Sequence, residues 1–303
     1  MVYVGNMNVL DLVGNTPVIE LKNILGTVNG ASLFAKAEYF NPSGSVKDRA
    51  AKAMMLHGIN SGRLTKDKIL LDSTSGNTGI AYAMFGAALG YRVKLYMPAN
   101  ASEERKKLIK AYGAQIVETD PLEGSDGAYR IVMELAAKEP NLYFFPNQYD
   151  NFENPRVHYE TTGIELYNQC KPTHFVAGTG TSGTFMGVSK RLKEIDSSIQ
   201  IIFMQPDSPF HGLEGMKHME STITPKIFDK SIADLHITVK TEDAYKTARR
   251  LAAEEGIFVG ISSGANVYAA MELSKTLPAG SRVATILCDN GSRYLSQPLW
   301  KEI

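Results

Sequence analysis

Short apolar runs alternate with helical patterns along this chain, and this alternation restricts its fold more than any other feature. Strand-like runs occur at Lys68–Asp72, Val93–Met97, Gln115–Glu118, Leu142–Phe145, His174–Ala177, Ile201–Gln205, His236–Val239 and Val283–Cys288. Helical patterns between them include Glu103–Tyr112, Ala128–Lys138 and Glu242–Glu255. Strands separated by helices form parallel sheets that helices cover. We therefore expect an α/β fold, in which Ser102 caps its helix and Gly113 ends it.

Composition excludes several classes of function. The 303 residues include 32 Lys and Arg against 32 Asp and Glu, which gives no broad attraction for nucleic acid or an anionic membrane surface. No apolar run reaches the roughly 18 residues of a membrane-spanning helix. Cys170 and Cys288 lie far apart and the histidines lack metal-site spacing, so we expect neither a disulfide scaffold nor a metal site. The first residues do not resemble a signal peptide, and we expect a cytoplasmic protein.

Three junctions that lead into predicted helices consist almost entirely of Gly, Ser, Thr and Asn. They are Ser73–Gly79, Gly178–Thr184 and Gly260–Gly264. A helix N-terminus offers unpaired N–H groups and the positive end of a dipole, and glycine lets an anion approach the backbone. One such loop can be an ordinary helix cap. Three in one open α/β chain, each after a predicted strand, indicate an anionic ligand in the crevice.

The Gly178–Thr184 loop also has the GxGxxG spacing of a dinucleotide site. Asp207 follows at about the distance of a ribose-binding acid, so an NAD-dependent dehydrogenase is an alternative. The hydroxyl groups of this loop suit a terminal phosphate monoester better than a pyrophosphate packed against bare glycines. The composition of the loop therefore favours a phosphate monoester.

Lys47 follows a Pro/Gly/Ser turn, Asn41–Ser45, where a helix is predicted to begin. Most lysines are simply solvated at the surface. A lysine at a helix N-terminus, however, has its ammonium form disfavoured by the dipole. This suits an amine that acts as nucleophile and base.

Together these segments resemble the β-family, or fold type II, of pyridoxal 5'-phosphate (PLP) enzymes, and within it the cysteine synthases. NPSGSVKDRAA resembles the family's Schiff-base lysine motif, STSGNTGIA its substrate-carboxylate loop, GTGTSGT its phosphate loop and GISSGA the segment that meets the pyridine nitrogen. VGNTPV and CDNGSRYLS extend the resemblance over essentially the whole chain. It implies PLP as the cofactor and two open, twisted, three-layer sheets flanked by helices.

The resemblance also implies a role for residues of each motif. Lys47 would form the Schiff base with PLP and remove the substrate's α-proton. Asn77 would bond the phenolate oxygen of PLP, and Ser262 would face the pyridine nitrogen. The phosphate would be held by Gly180, Thr181, Ser182, Gly183 and Thr184. The substrate carboxylate would be held by Thr74, Ser75, Asn77, Thr78 and Gln148.

A serine at the pyridine nitrogen bears on the type of reaction. Unlike a carboxylate, a hydroxyl does not hold that nitrogen protonated, so loss of a β-leaving group is the easier route. We expect β-replacement on an activated L-serine, O-acetylserine, through an aminoacrylate that sulfide or thiosulfate attacks. The product would be L-cysteine or S-sulfocysteine. A cysteine-consuming β-replacement that releases hydrogen sulfide, as in a cysteine lyase or a cystathionine β-synthase-like enzyme, and a non-catalytic relative are the alternatives within the family.

Within the family, the stretch from Gln205 to Asp229 and the pair Cys288-Asp289 resemble the B-type, thiosulfate-using cysteine synthases. Lys217 lies where some members carry an arginine associated with phosphoserine use, and we expect it to favour an anionic partner such as thiosulfate. Glu220 would oppose a phosphate group or act as a base for water. Solvation of both side chains on a surface loop is the alternative.

The resemblance finally implies the domain organisation. A smaller mobile domain would comprise residues 37–147, and a larger one residues 1–36 together with 148–303. The cofactor would bind between them, and the protein would be a homodimer.

Overall fold

The computed structural model describes residues 7–26, 30–74 and 76–300. Its strands are β1 Val18–Glu20, β2 Ser32–Ala37, β3 Ile69–Ser73, β4 Arg92–Pro98, β5 Gln115–Thr119, β6 Tyr143–Phe144, β7 His174–Gly178, β8 Gln200–Pro206, β9 Leu235–Val239 and β10 Arg282–Leu287. Its helices are α1 Lys47–Asn60, α2 Asn77–Leu89, α3 Glu103–Ala111, α4 Gly124–Lys138, α5 Glu153–Val157, α6 Gly163–Cys170, α7 Gly183–Ile195, α8 Thr241–Glu255 and α9 Ile261–Ser274.

The strands form two open sheets. One has six strands in the order β1-β2-β10-β7-β8-β9, and the other has four in the order β5-β4-β3-β6. Within the described ranges the neighbouring strands are parallel, apart from β1, which is antiparallel to β2. We call β3–β6 with α1–α4 the four-strand unit, and the remaining elements the six-strand unit. The predicted α/β fold of two sheets flanked by helices is confirmed.

Every strand predicted from the sequence is present, but β1 and β2 were not predicted. The β2 sequence, SLFAKA, has no strong strand propensity. It becomes a strand because it pairs along its whole length with β10, with Leu33 opposite Val283. Pairing between segments so distant in the chain is a tertiary effect, and local propensity does not report it.

Two predicted local features need correction. Ser102 occupies the N-cap of α3, but its buried hydroxyl has no hydrogen-bond partner within the described part of the chain. The Gly260–Gly264 segment does not follow a strand, since Val259 makes only an isolated bridge, and α9 already begins at Ile261. Gly113, with a φ of 82°, does end α3 as predicted.

A buried ionic network attaches α1 to the six-strand unit. Arg49 contacts Glu38 and Glu165, each at 2.7 Å, and Lys36 contacts Glu165 at 2.9 Å. Arg49 and Glu38 are almost fully buried, so removing one partner would leave an uncompensated charge, at a cost of about 3–5 kcal/mol. The network lies close in sequence to Lys47 and fixes the first turn of α1. None of the helices in the described ranges combines the length and apolar character needed to cross a membrane.

Asp72, on β3 in the four-strand unit, makes the folding stability of the protein depend on pH. Burial raises the pKa of its carboxyl from an ordinary 3.8 to about 8, and hydrogen bonds with the Ser73 N–H and the Tyr82 hydroxyl oppose this only partly. Between these values the folded chain binds a proton that the unfolded chain releases, so stability falls as pH rises through this window. Asp72→Asn should remove that fall and stabilise the protein above pH 8 by about 1–3 kcal/mol. Urea unfolding at pH 5 and pH 9 measures this, and parallel profiles for variant and wild type would contradict it.

Candidate active site

A cavity of about 500 Å³ lies between the two units. Residues at or just before the first turns of α1, α2, α7 and α9 line it, including Lys47, Asn77, Gly183 and Ser262. The starts of α2 and α7 follow loops that the sequence predicts to bind an anion, and the third predicted segment, Gly260–Gly264, forms the first turn of α9 itself. The cavity is therefore surrounded by backbone N–H groups and positive dipole ends, as an anionic ligand requires.

Lys47 is the first residue of α1, as predicted. Burial lowers the pKa of its amine below the ordinary value, and the negative charge of nearby Asp289 opposes this less strongly. Among the described residues, no hydrogen bond or ion pair engages the Lys47 Nζ, although its backbone N–H donates to Ser45 Oγ at 3.3 Å. A partly buried amine without an ion-pair partner is suited to act as a nucleophile and a base.

The predicted phosphate loop connects β7 to α7 and lines the cavity from Gly178 to Thr184. Asn154 donates to the hydroxyl of Thr181 at 3.0 Å, and Ser182 takes a left-handed conformation with φ of 68°. A Cβ on Gly180 would lie 2.2 Å from the backbone oxygen of Gly215. Only glycine therefore fits there, which explains one glycine of the motif by close approach of two backbones.

Asn77 is held by two residues of the C-terminal segment. Its Nδ2 donates to Asp289 Oδ2 at 2.6 Å, and its Oδ1 accepts from Arg293. Asp289 also accepts from the hydroxyl of Tyr294 at 2.6 Å, and Arg293 donates to the backbone oxygen of Ser43. The amide predicted to meet the phenolate oxygen of PLP is thus oriented by side chains of the six-strand unit.

The predicted carboxylate loop is organised around Thr74 and Gln148. Thr74 Oγ1 accepts from the N–H groups of Gly76 at 3.0 Å and Gly79 at 3.3 Å. Gln148 accepts from the Thr78 hydroxyl at 2.9 Å and donates to the Ser73 oxygen at 3.0 Å. The structure brings Thr74, Asn77, Thr78 and Gln148 to the cavity. Ser75 lies outside the described residues.

Ser262 lies in the first turn of α9 and reaches the cavity beside Cys288. Burial raises the pKa of the Cys288 thiol to about 11, and a hydrogen bond with Ser262 opposes this only partly. Ser263 does not face the cavity in the same way, since its hydroxyl accepts from the Cys288 N–H at 2.8 Å. The position predicted to meet the pyridine nitrogen therefore carries a neutral hydroxyl beside a neutral thiol.

Lys217 and Glu220, the two residues predicted to influence the choice of an anionic partner, differ in position. Lys217 is buried and lines the cavity, and its Nζ contacts Asp126 Oδ1 at 2.7 Å, so the alternative of a solvated surface lysine is wrong. Glu220 does not line the cavity; it accepts from Gln205 Nε2 at 2.9 Å and contacts Lys230 Nζ at 3.4 Å. The structure does not bring Glu220 to the reacting groups. It neither cancels the charge of Lys217 nor lies where it would activate water in the cavity.

Several polar residues of the cavity wall belong to none of the predicted loops. Arg105 on α3 pairs with Glu214, and its guanidinium lies 4.6 Å from the ring centre of Tyr294. Arg105 and Asp126 belong to the four-strand unit, whereas Glu214 and Lys217 belong to the six-strand unit. Two ion pairs of opposite polarity therefore join the units across the cavity. Only the resemblance of CDNGSRYLS to the family motif pointed toward Tyr294.

The residues of the cavity fit PLP. A partly buried amine stands at the start of α1, a loop rich in hydroxyls and N–H groups at the start of α7, and a neutral hydroxyl at Ser262. Thr179 Oγ1, also at the cavity wall, is buried without a hydrogen-bond partner within the described residues. Lys47 would hold the aldehyde carbon, the 180–184 loop the phosphate and Ser262 the ring nitrogen. PLP supplies a ring that withdraws electrons from the substrate's Cα.

Comparison with known proteins agrees with this geometry. A family model described as pyridoxal-phosphate dependent enzyme matches residues 9–289. The chain is 50% identical over 301 residues to the cysteine synthase of Aquifex aeolicus, covering 97% of this chain and 92% of that protein. It is 39% identical over 299 residues to cysteine synthase B of Salmonella typhimurium, covering 98% and 97%.

Among solved structures, the chain resembles a hydrogen sulfide-producing enzyme from Fusobacterium nucleatum. The TM-score is 0.90 at 36% identity, and the match covers 96% of this chain and 100% of that one. The family match over residues 9–289 leaves no place for the dinucleotide interpretation of GxGxxG. The predicted PLP cofactor and the resemblance to B-type cysteine synthases are confirmed. This chain belongs to the family of pyridoxal-phosphate dependent enzymes, and within it to the cysteine synthases, which replace a β-substituent of an activated serine.

Proposed function

We propose that this cysteine synthase makes L-cysteine from O-acetylserine and sulfide, and S-sulfocysteine when thiosulfate is the nucleophile. The observation that carries the proposal is a partly buried amine, Lys47, in one cavity with the starts of α2 and α7, whose N–H groups suit an anion. Incubating the purified protein with O-acetylserine and sulfide should yield cysteine and acetate. Sulfide release from cysteine at a higher kcat/KM would overturn this direction.

Three parts of the cavity wall have a task in this reaction: Lys47, the start of α2 and Ser262. The Lys47 amine accepts the proton from Cα, and burial, which lowers its pKa, favours the uncharged form that this task needs. The N–H groups at the start of α2, with Thr74 and Thr78, bind the substrate carboxylate. The neutral hydroxyl of Ser262 would not hold the ring nitrogen of PLP protonated, which would favour loss of a β-substituent over transamination.

Binding of the carboxylate is proposed to close a smaller domain, residues 37–147, over the cavity. Gln148 supports this, since it links Thr78 to the Ser73 carbonyl at the edge of the four-strand unit. Gln148→Ala should raise KM for O-acetylserine by about tenfold, the value of one hydrogen bond to a charged group, and leave PLP retention unchanged. Gln148→Glu is the matched variant, and its added charge should raise KM further. Purification of either variant without PLP would contradict the assignment.

The charges at the cavity favour a neutral leaving group. Arg105 is paired with Glu214 and Lys217 with Asp126, so neither cation meets a phosphate without losing a carboxylate partner. We expect a higher kcat/KM for O-acetylserine than for O-phosphoserine.

Lys217→Ala should lower kcat/KM for thiosulfate by about fivefold and kcat/KM for sulfide by less. The reason is that the positive charge of Lys217 attracts thiosulfate, a dianion, more strongly than it attracts sulfide. Asp126→Asn is the matched control, since it breaks the same ion pair but leaves the cation. If Lys217 acts through its charge, this variant should retain or gain thiosulfate activity. Equal losses in both variants would show that the ion pair serves only to join the two units.

A cysteine-consuming reaction that releases hydrogen sulfide is the second candidate. It is favoured by the similarity to the hydrogen sulfide-producing enzyme from Fusobacterium nucleatum.

We further propose a cytoplasmic homodimer, in keeping with two cysteines that are both free. Sedimentation velocity of the purified protein tests the dimer, and a single monomeric species would refute it.

A further inference from the structure

The start of α3 packs against the proposed carboxylate loop, which begins at Ser73 and leads into α2. A Cβ on Gly76 would lie 2.2 Å from Arg105 Cδ and 2.8 Å from Arg105 Nε, so the Arg105 side chain lies directly against the backbone of this loop. Gly76 donates its N–H to Thr74 Oγ1 at 3.0 Å, one of the bonds that organise the loop. Arg105 is only 2% exposed, so the loop rests on a side chain that is itself closely packed.

The far end of the Arg105 side chain is held by the six-strand unit. Its guanidinium pairs with Glu214, and its Cζ lies 4.6 Å from the ring centre of Tyr294. A guanidinium can stack on an aromatic ring and bond a carboxylate through its planar edge at the same time. Tyr294 is buried, and its hydroxyl donates to Asp289 Oδ2 at 2.6 Å. The position of the guanidinium is therefore fixed from two directions.

The neighbouring residue, Glu104, strengthens the same contact. Its carboxylate accepts from the N–H and from the hydroxyl of Ser296, each at 2.9 Å. Ser296, like Tyr294, belongs to the C-terminal segment of the six-strand unit. Two consecutive side chains in the first turn of α3 thus attach the helix to that unit, whereas Lys110, at the other end of α3, is exposed.

We propose that Arg105 is a positioning residue for the substrate carboxylate: it holds the carboxylate loop against the six-strand unit, so that the N–H groups at the start of α2 face the cavity. Its side chain reaches from Gly76 to Glu214 and so joins the loop to the opposite wall of the cavity. Because its charge is already paired with Glu214, Arg105 acts on the substrate through the loop and not by direct contact. The inference rests on the proposed placement of the substrate carboxylate at the start of α2.

The test compares L-alanine with ethylamine, which differs from it only in lacking the carboxylate. Binding of each to the PLP-loaded enzyme is followed through the absorbance of PLP. Arg105→Gln should weaken L-alanine by about tenfold, as expected when a bond to a charged group is no longer well placed, and leave ethylamine within about twofold. Lys110→Gln, which removes an exposed cation of the same helix, is the matched control and should change neither. Equal weakening of both amines by Arg105→Gln, or no weakening of L-alanine, would overturn the inference.

Glu214→Gln separates positioning from direct attraction, because it removes the partner of the guanidinium but leaves the positive charge at the cavity. It should weaken L-alanine by about threefold, and the double variant with Arg105→Gln should stay near tenfold, since both changes break the same contact. Tighter binding of L-alanine to Glu214→Gln would show that Arg105 attracts the carboxylate directly, and would overturn the inference.

Arg105→Lys provides a further variant should the glutamine variant fail to fold. It keeps the charge but loses the planar group that lies on Tyr294, and it should lower the preference for L-alanine over ethylamine by about threefold. An unchanged preference would contradict the positioning role. If the wild type itself bound L-alanine no tighter than ethylamine, the proposed placement of the substrate carboxylate would be wrong instead.

Discussion

Lys47→Ala is expected to lower kcat by about 10³–10⁴-fold, because the variant loses both the nucleophile that binds the cofactor covalently and the base that accepts the Cα proton. The fold should survive, since the Arg49 network that holds α1 does not involve the Lys47 side chain. PLP should remain bound without a covalent link, because the phosphate loop is a separate element. Steady-state turnover and absorbance of the purified variant measure both effects.

The control is Lys52→Ala on the same helix. Lys52 Nζ donates to the backbone oxygen of Leu10 at 2.7 Å, and Lys52 does not line the cavity. Its replacement should leave kcat within about twofold, as for most substitutions away from the reacting groups. Borohydride reduction of the wild type followed by peptide mapping should place the label on Lys47, and a label on any other lysine would refute the assignment.

Gly180→Ala should abolish retention of PLP and lower stability by about 1–3 kcal/mol, the usual cost of overpacking. Its added methyl would meet the carbonyl oxygen of Gly215 at 2.2 Å. That oxygen is part of the backbone, so the two loops must separate to make room. Because residues 180–184 are proposed to hold the phosphate, their displacement should release the cofactor. The PLP content after dialysis and the thermal midpoint provide the measurement.

Gly178→Ala, in the same loop, is the matched control. The nearest atoms to its methyl would be the terminal methyl carbons of Met204 and Met216, at 2.7 and 2.6 Å, and the Met216 sulfur at 3.2 Å. Methionine side chains can rotate away from such a contact at little cost. This variant should therefore keep its cofactor. Loss of PLP from both variants alike would show that the loop tolerates no side chain at all, contrary to the argument from the Gly215 carbonyl.

Much of this site was accessible from local sequence. The start of α1 at Lys47 follows from its Pro/Gly/Ser turn, and the loops before α2 and α7 follow from their glycines and hydroxyls. Each is a property of a few consecutive residues. The third loop was misplaced because Ile261 already begins α9, so Ser262 presents its hydroxyl from a helix and not from a loop. Ser262 nevertheless lies at the cavity wall, and its role toward the pyridine nitrogen stays a prediction.

The sequence by itself determined the alternation of strands and helices, the helix starts that line the cavity, and the lysine among them, because these depend on short-range backbone preferences. Only the tertiary structure decided which charged and polar side chains meet at the cavity. Arg105 and Glu214 are 109 residues apart, and Asn77 and Asp289 are 212 apart. Whether such residues touch depends on how the two sheets pack against each other, and each charged residue alone resembles an ordinary solvated one. Packing also placed Glu220 outside the cavity and Arg105 against Gly76, through contacts that no local pattern encodes.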